Sequence, residues 1–232
     1  MRRAFLSAAA LLLTGAALAQ AEPAGRHEWL APFEAVEVDA AVAIRFEQAP
    51  AGEAPSIRYD TQGDDDTKFR AEVRGGVLRI RERVDLHRPR RTTVVVRYEA
   101  LRSLVLTDAE AEVNGVLTAT FFDLTVGARA SLTAAVAVQD LLIELSGESR
   151  ATLTGQVRYL TLQASTGTVD AAGMTCMAAR ASAQNRARVT LDVTDRLETR
   201  TATGATIDCA APPALVRNNK TFWQRAAERA NE

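Results

Sequence analysis

The chain reads as an all-β solenoid, a stack of short rungs, and three observations carry that reading. Apolar residues alternate with period two through residues 33–211, and no helical periodicity competes with them. A unit of about 20 residues recurs six times between Leu104 and Cys209, in two independent columns. Small residues punctuate the units where closely stacked turns need them: Gly127, Gly147, Gly167 and Gly204 stand beside Ser, Thr or Ala.

The N-terminus precedes the fold. Met1-Arg2-Arg3 is a positive start, Ala4 to Leu18 is apolar or small apart from Ser7, Thr14 and Gly15, and Ala17-Leu18-Ala19 and Ala19-Gln20-Ala21 are small-x-small cleavage sites. Residues 1–21 therefore read as a secretory signal peptide. The run is shorter than the roughly 20 apolar residues a membrane span requires. Arg2-Arg3 also resembles a twin-arginine signal, so the general and twin-arginine export routes both stay open. Beyond residue 21 no apolar run is long enough to cross a bilayer as a helix. The expected location is exported: periplasmic, extracellular or cell-surface.

Residues 22–32 form a leader. Strands are predicted from Phe33 to Val38 and from Val42 to Glu47, where Val42, Ile44 and Phe46 share one face and Arg45 and Glu47 the other. After the break at Ala49-Pro50-Ala51-Gly52 comes a short strand, Ser56 to Tyr59, then an acidic loop at Asp64-Asp65-Asp66. Gly75-Gly76 supplies the two glycines of a primed hairpin turn between Phe69–Val73 and Val77–Arg83. Thr92 to Tyr98 is the next strand.

The repeat follows. First alternations begin at residues 104, 124, 143, 160, 179 and 197, and second alternations are anchored at Val113, Leu132, Leu153, Val169, Val189 and Ile207. One rung cannot bury its own apolar face, so neighbours must stack into a continuous core. Aromatics are only 5 % of residues, which suits narrow rungs filled by Val, Leu, Ile and Ala. Exposed strand edges at the ends need caps. The N-terminal strands are expected to cover one end. At the other, Pro212-Pro213 stops the last rung, and residues 212–232 read as a tail or a short capping helix with Phe222, Trp223, Ala226 and Ala230 on one face.

Candidate chemistry is sparse. A formal charge of −1 gives no reason to expect nucleic acid or an anionic membrane as the main partner. His27 and His87 have no partner at metal spacing, Asp64-Asp65-Asp66 lacks the spaced ligands of a calcium loop, and no phosphate or dinucleotide fingerprint occurs. No cofactor is expected. Ser146-Gly147-Glu148-Ser149 occupies a turn slot, which makes turn chemistry the better reading of that run. Cys176 and Cys209 are an even pair in an exported chain, compatible with either a disulfide or two buried thiols. Arg79, Arg81, Arg83, Arg88, Arg90 and Arg91 make a local basic cluster, a candidate patch for acidic glycans or lipid headgroups. A carbohydrate-active enzyme is the alternative function, since lyases and hydrolases use converging carboxylates. Asp170 and Asp208 each follow a rung anchor, but Thr190 interrupts them.

Phe33-Glu34-Ala35-Val36-Glu37-Val38, then Val77-Leu78-Arg79-Ile80, then rungs of the Leu-x-Leu-Ser-Gly kind resemble the bacterial head GIN domain family, named as putative auto-transporter adhesins. The resemblance covers residues 33–211. It implies a right-handed β-solenoid in the bacterial envelope and brings no catalytic residues. The expected function is a non-catalytic exported binding or structural module. Its partner, an envelope component or glycan, and its oligomeric state are not specified by the sequence.

Overall fold

The structure, a computed structural model, describes residues 25–62, 68–83 and 90–218. The predicted signal peptide, Asp64-Asp65-Asp66, His87, Arg88 and the capping segment at Phe222–Ala230 lie outside the described residues. Those described are all-β, with 15 strands hydrogen-bonded into one continuous coiled sheet. None of them forms a helix long and apolar enough to cross a membrane.

Each rung has two limbs. The chain runs up the first, passes a tight turn, runs down the second, and rounds a corner into the next rung. Strands β9 (Glu110–Gly127), β10 (Ser131–Leu145), β11 (Arg150–Ala164), β12 (Thr168–Ala183) and β13 (Arg188–Thr201) each span a corner. Each thus supplies the second limb of one rung and the first limb of the next. All pair in parallel with their neighbours. The turns alone break the strands, so all tight turns line up along one edge and all corners along the other.

Register decides the columns. On the first limb Leu104, Leu124, Ile143, Leu162 and Ala181 stack inward; on the second, Ala111, Leu132, Ala151, Val169, Val189 and Ile207 do. The predicted columns match at most positions and slip by two at others. Leu160, Ala179 and Leu197 belong to the column of Leu141, not Ile143, while Val113 and Leu153 lie two residues past Ala111 and Ala151. A two-residue slip keeps a side chain on the same face, so both members of each pair point inward and a pattern read from polarity cannot separate them.

The solenoid begins earlier in the chain than the repeat. Strands β2 (Ala35–Asp39) and β3 (Ala43–Gln48) form a rung, as do β6 (Val77–Arg81) and β7 (Thr93–Tyr98). The β2–β3 rung lies between the β6–β7 rung and the rung begun by β8 (Ser103–Thr107). Only the outermost layer is a cap. There β5 (Arg70–Arg74) pairs antiparallel with β6 through the Gly75-Gly76 hairpin, whose φ angles of +59° and +76° are those of the predicted primed turn. Beside it β4 (Ser56–Asp60) pairs antiparallel with β7, and β1 (Arg26–Trp29) with β4. Antiparallel hairpins end the parallel ladder and keep it from templating another chain.

The core tapers. Phe46 and Phe122 fill the rungs near the cap, whereas Ala171, Ala179, Ala181 and Ala183 fill the far ones. At the far end β14 (Thr206–Cys209) and β15 (Leu215–Asn218) both lie on β13, with Ile207 only partly buried and Val216 exposed.

Candidate functional site

Outward residues on the limbs meet their neighbours one rung away. Arg79 donates to Glu37 at 2.9 Å, Arg180 to Glu198 at 3.2 Å, and Arg97 lies 3.5 Å from Glu47. Each pair is directly opposite in register. Exposed pairs of this kind add at most about 1 kcal/mol apiece, but they fix which rung neighbours which.

The turn edge behaves differently. Each turn reverses through a left-handed residue: Asp108 (φ +60°), Ala128 (+52°), Gly147 (+73°), Gly167 (+82°), Arg186 (+65°) and Gly204 (+74°). Counting between paired strand ends, the turns at 127–130, 146–149, 184–187 and 202–205 have four residues, but those at 107–109 and 165–167 have three. The turn at 165–167 is drawn tightly against the one before it. A Cβ on Gly167 would stand 2.5 Å from the Ser149 carbonyl oxygen, so only glycine fits. Ser149 itself is buried and donates its hydroxyl to the carbonyls of Ser146 (2.7 Å) and Val126 (3.1 Å), tying two turns together.

One missing residue between longer neighbours leaves a recess of about 900 Å³. Its floor is Thr166, Gly167 and Thr168; Glu148 and Arg150 rise on one side, Arg186 and Arg188 on the other, and Arg129 stands one rung beyond Glu148. Arg129 is held by Asp108 at 3.0 Å. Arg150, Arg186 and Arg188 make no ion pair among the described residues. Arg150, Thr168 and Arg188 form one outward column, so the Cα atoms of the two arginines stand about 9.6 Å apart. On the other flank of the same turn a smaller hollow of about 360 Å³ is lined by Gln163, Ser165, Ser182 and Gln184, with the carboxylate Glu144 beside them. The edge thus offers mainly cations on one side and mainly neutral donors and acceptors on the other.

The basic cluster of the sequence does not converge in this way. Arg79 is tied to Glu37 and Arg91 to Glu110 at 3.3 Å. Arg81 and Arg83 border a hollow of about 350 Å³ with Lys68, but Asp39, Glu82 and Asp108 line it too. Arg90 is exposed. Ion pairs and interleaved carboxylates divide the run.

The two cysteines are free thiols. Cys176 lies beside Val193 and Cys209 beside Leu191, so a whole rung separates them. Two strand spacings, about 9.6 Å, exceed the Cα separation of about 7 Å that a disulfide tolerates. Burial, then Asp192 and Cys209, push the Cys176 thiol up to about 12. Among the carboxylates, Asp170, Thr190 and Asp208 form one outward column on an open limb. Among the described residues no group of three or more His, Cys, Asp or Glu side chains is placed to hold a metal.

Sequence reasoning missed Arg129, Arg150, Arg186 and Arg188 because they are scattered over 60 residues of chain. The signal was there in the turn lengths, but only a correct register makes the short turns visible.

A model of the head GIN domain, described as a putative auto-transporter adhesin, matches residues 32–213. The chain belongs to the head GIN domain family. Crystal structures similar to this head GIN domain include a putative adhesin from Bacteroides fragilis NCTC 9343, 14 % identical with a TM-score of 0.76, covering 84 % of this chain and 92 % of that one. Another, from Parabacteroides distasonis ATCC 8503, is 16 % identical with a TM-score of 0.64, over 85 % and 93 % of the two chains. A putative lipid binding protein from the same organism is 13 % identical with a TM-score of 0.56, over 87 % and 96 %. At these identities the likeness is one of fold. A search of curated proteins returns no significant match.

Proposed function

We propose that this head GIN domain is a non-catalytic, exported binding module of the bacterial envelope, adhesin-like in role, and that it holds its ligand on the turn edge. The observation that carries the reading is the recess at the 165–167 turn, where three arginines that make no ion pair among the described residues surround hydroxyl groups. Its volume falls within the roughly 300–1,000 Å³ typical of ligand sites. Export rests on the signal-like residues 1–21, and the adhesin role on the family description.

The carbohydrate-active reading rests on Asp170 and Asp208, whose column places them about 9.6 Å apart at the backbone. An inverting glycosidase holds its two carboxyl groups about 6.5–9.5 Å apart across a bound sugar. Here both side chains are exposed on a flat limb outside the recess, so binding is the better supported function. Incubating the protein with a panel of polysaccharides separates the two readings. Retention of a polysaccharide without new chain ends is expected; new reducing or unsaturated ends would overturn the non-catalytic reading.

A further inference from the structure

We infer that the recess takes an acidic polysaccharide strand, laid along the stack axis across the turns, with Arg150, Arg186 and Arg188 holding its carboxylate or sulfate groups. This deepens the binding reading above and rests on it.

Four features of the edge select that class. Guanidinium forks match carboxylate and sulfate oxygens in a two-point, charge-assisted geometry. Arg150 and Arg188 point outward from the same column with Thr168 between them, so their charges repeat every second rung, about 9.6 Å. That spacing is close to the length of a disaccharide, so a chain acidic at alternate sugars meets both arginines while its intervening sugar lies over Thr168. The neutral groups supply what sugar hydroxyls need: Thr166, Thr168 and Asn185 in the recess, with Gln163, Ser182 and Gln184 on the far flank, where Glu144 accepts from a hydroxyl of the uncharged sugar. A strand draped over the short turn touches both flanks.

Two other anions fit worse. A polyanion charged at every unit, such as a nucleic acid, would press a charge against Glu148, which shares the recess with Arg150. A membrane surface would engage basic and apolar groups together. The exposed apolar residues Val116, Phe121 and Tyr159 sit toward the corner edge, across the limbs from the turns.

The test is titration calorimetry of the full exported chain with three probes: a hyaluronan oligosaccharide, whose carboxylates fall on alternate sugars, a neutral dextran oligosaccharide, and phosphatidylglycerol vesicles. Binding to the hyaluronan oligosaccharide alone is expected, weakening as salt rises. Arg150→Ala and Arg188→Ala are each expected to weaken it about tenfold or more, the loss of one charge-assisted contact. Arg81→Ala, outside the recess, is expected to leave it unchanged. An alanine inserted between Thr166 and Gly167 restores a four-residue turn and is expected to abolish binding; thermal melts of each variant report whether the fold persists. Unchanged affinity in folded Arg150→Ala and Arg188→Ala overturns the inference, as does binding to vesicles alone or to none of the probes. Equal binding of dextran that the insertion abolishes overturns the acidic class but leaves a binding module at this edge. Shortening of the hyaluronan oligosaccharide, still dependent on the two arginines, overturns the non-catalytic reading and leaves the anionic site in place.

Discussion

Gly155 sits where β11 rounds the corner, between Val136 on one rung and Met174 on the next. Its φ is +110°, and a Cβ added there would lie 2.1 Å from the Val136 carbonyl oxygen. Ordinary contact begins near 3.4 Å, so Gly155→Ala must find 3.4 − 2.1 = 1.3 Å between two backbones. Both rungs are pinned by ladders on either side, so local retreat breaks backbone hydrogen bonds instead of spreading the strain. Two such bonds at about 1 kcal/mol each, with about 1–2 kcal/mol for forcing an L-residue to positive φ, put the cost near 3–4 kcal/mol. Gly115 is the matched control, at φ +89° with nothing within 4 Å of its added Cβ. Gly115→Ala carries the conformational cost alone, less about 0.4–1 kcal/mol recovered from a stiffer unfolded chain. Urea unfolding followed by circular dichroism reads both variants. If Gly155→Ala falls within about 1 kcal/mol of Gly115→Ala, the corner is not closely stacked and the reasoning fails.

Ile143 is fully buried between Leu124 and Leu162, so Ile143→Ala is expected to cost about 2–5 kcal/mol in the same assay. Arg79→Ala removes a cross-rung pair between half-exposed groups and is expected to cost under about 1 kcal/mol; a loss above 2 kcal/mol would show that such pairs carry the stack. A thiol whose pKa is pushed up to about 12 in the fold, from an ordinary value of 9.0, keeps its proton while the unfolded chain loses it. Stability is therefore complete below about pH 9 and declines as pH rises toward 12, by up to about 1.4 kcal/mol per unit. Cys176→Ala is expected to remove that part of the alkaline loss in denaturation curves taken across the range. With Ellman's reagent at pH 8, part-exposed Cys209 is expected to react in the folded protein and buried Cys176 only after unfolding; a chain with no titratable thiol would instead demonstrate a disulfide.

What the sequence made legible follows from which interactions are local. The Gly75-Gly76 hairpin was readable because both arms and the turn lie within a dozen residues. The rung period was readable because every unit buries the same face. Exact register was not: Leu160 and Leu162 are both buried, and polarity cannot say which of them sits beside Ile143. The chain order of the first rungs was also hidden, because nothing in β2 or β3 announces that a later segment, β6–β7, will lie on their outer side. The basic cluster misled for a related reason. Arg79 and Arg81 are close in sequence, but Arg79 is tied to Glu37 on the neighbouring strand and Arg81 stands opposite Asp39 there.

The recess is the cheapest kind of site a solenoid can make. Removing one turn residue leaves the ladders intact, since Ser165 still donates its backbone N–H to Leu145 at 2.9 Å and Thr168 to Ser149 at 3.0 Å. No core residue is displaced: Ala164 and Val169, flanking the short turn, stay buried. Insertions at the corners act differently. The irregularity between Ala171 and Thr175, which face Leu191 and Asp192 as immediate neighbours, leaves Ala172, Gly173 and Met174 without partners on β13, making a bump where the short turn makes a hollow. A hollow gathers side chains from several rungs around one ligand, whereas a bump presents residues of one rung. On this scaffold the place to look for a site is therefore where turn length drops while limb register holds; in the repeat the turns at 107–109 and 165–167 meet that condition, and the second gathers arginines between Glu148 and Arg188.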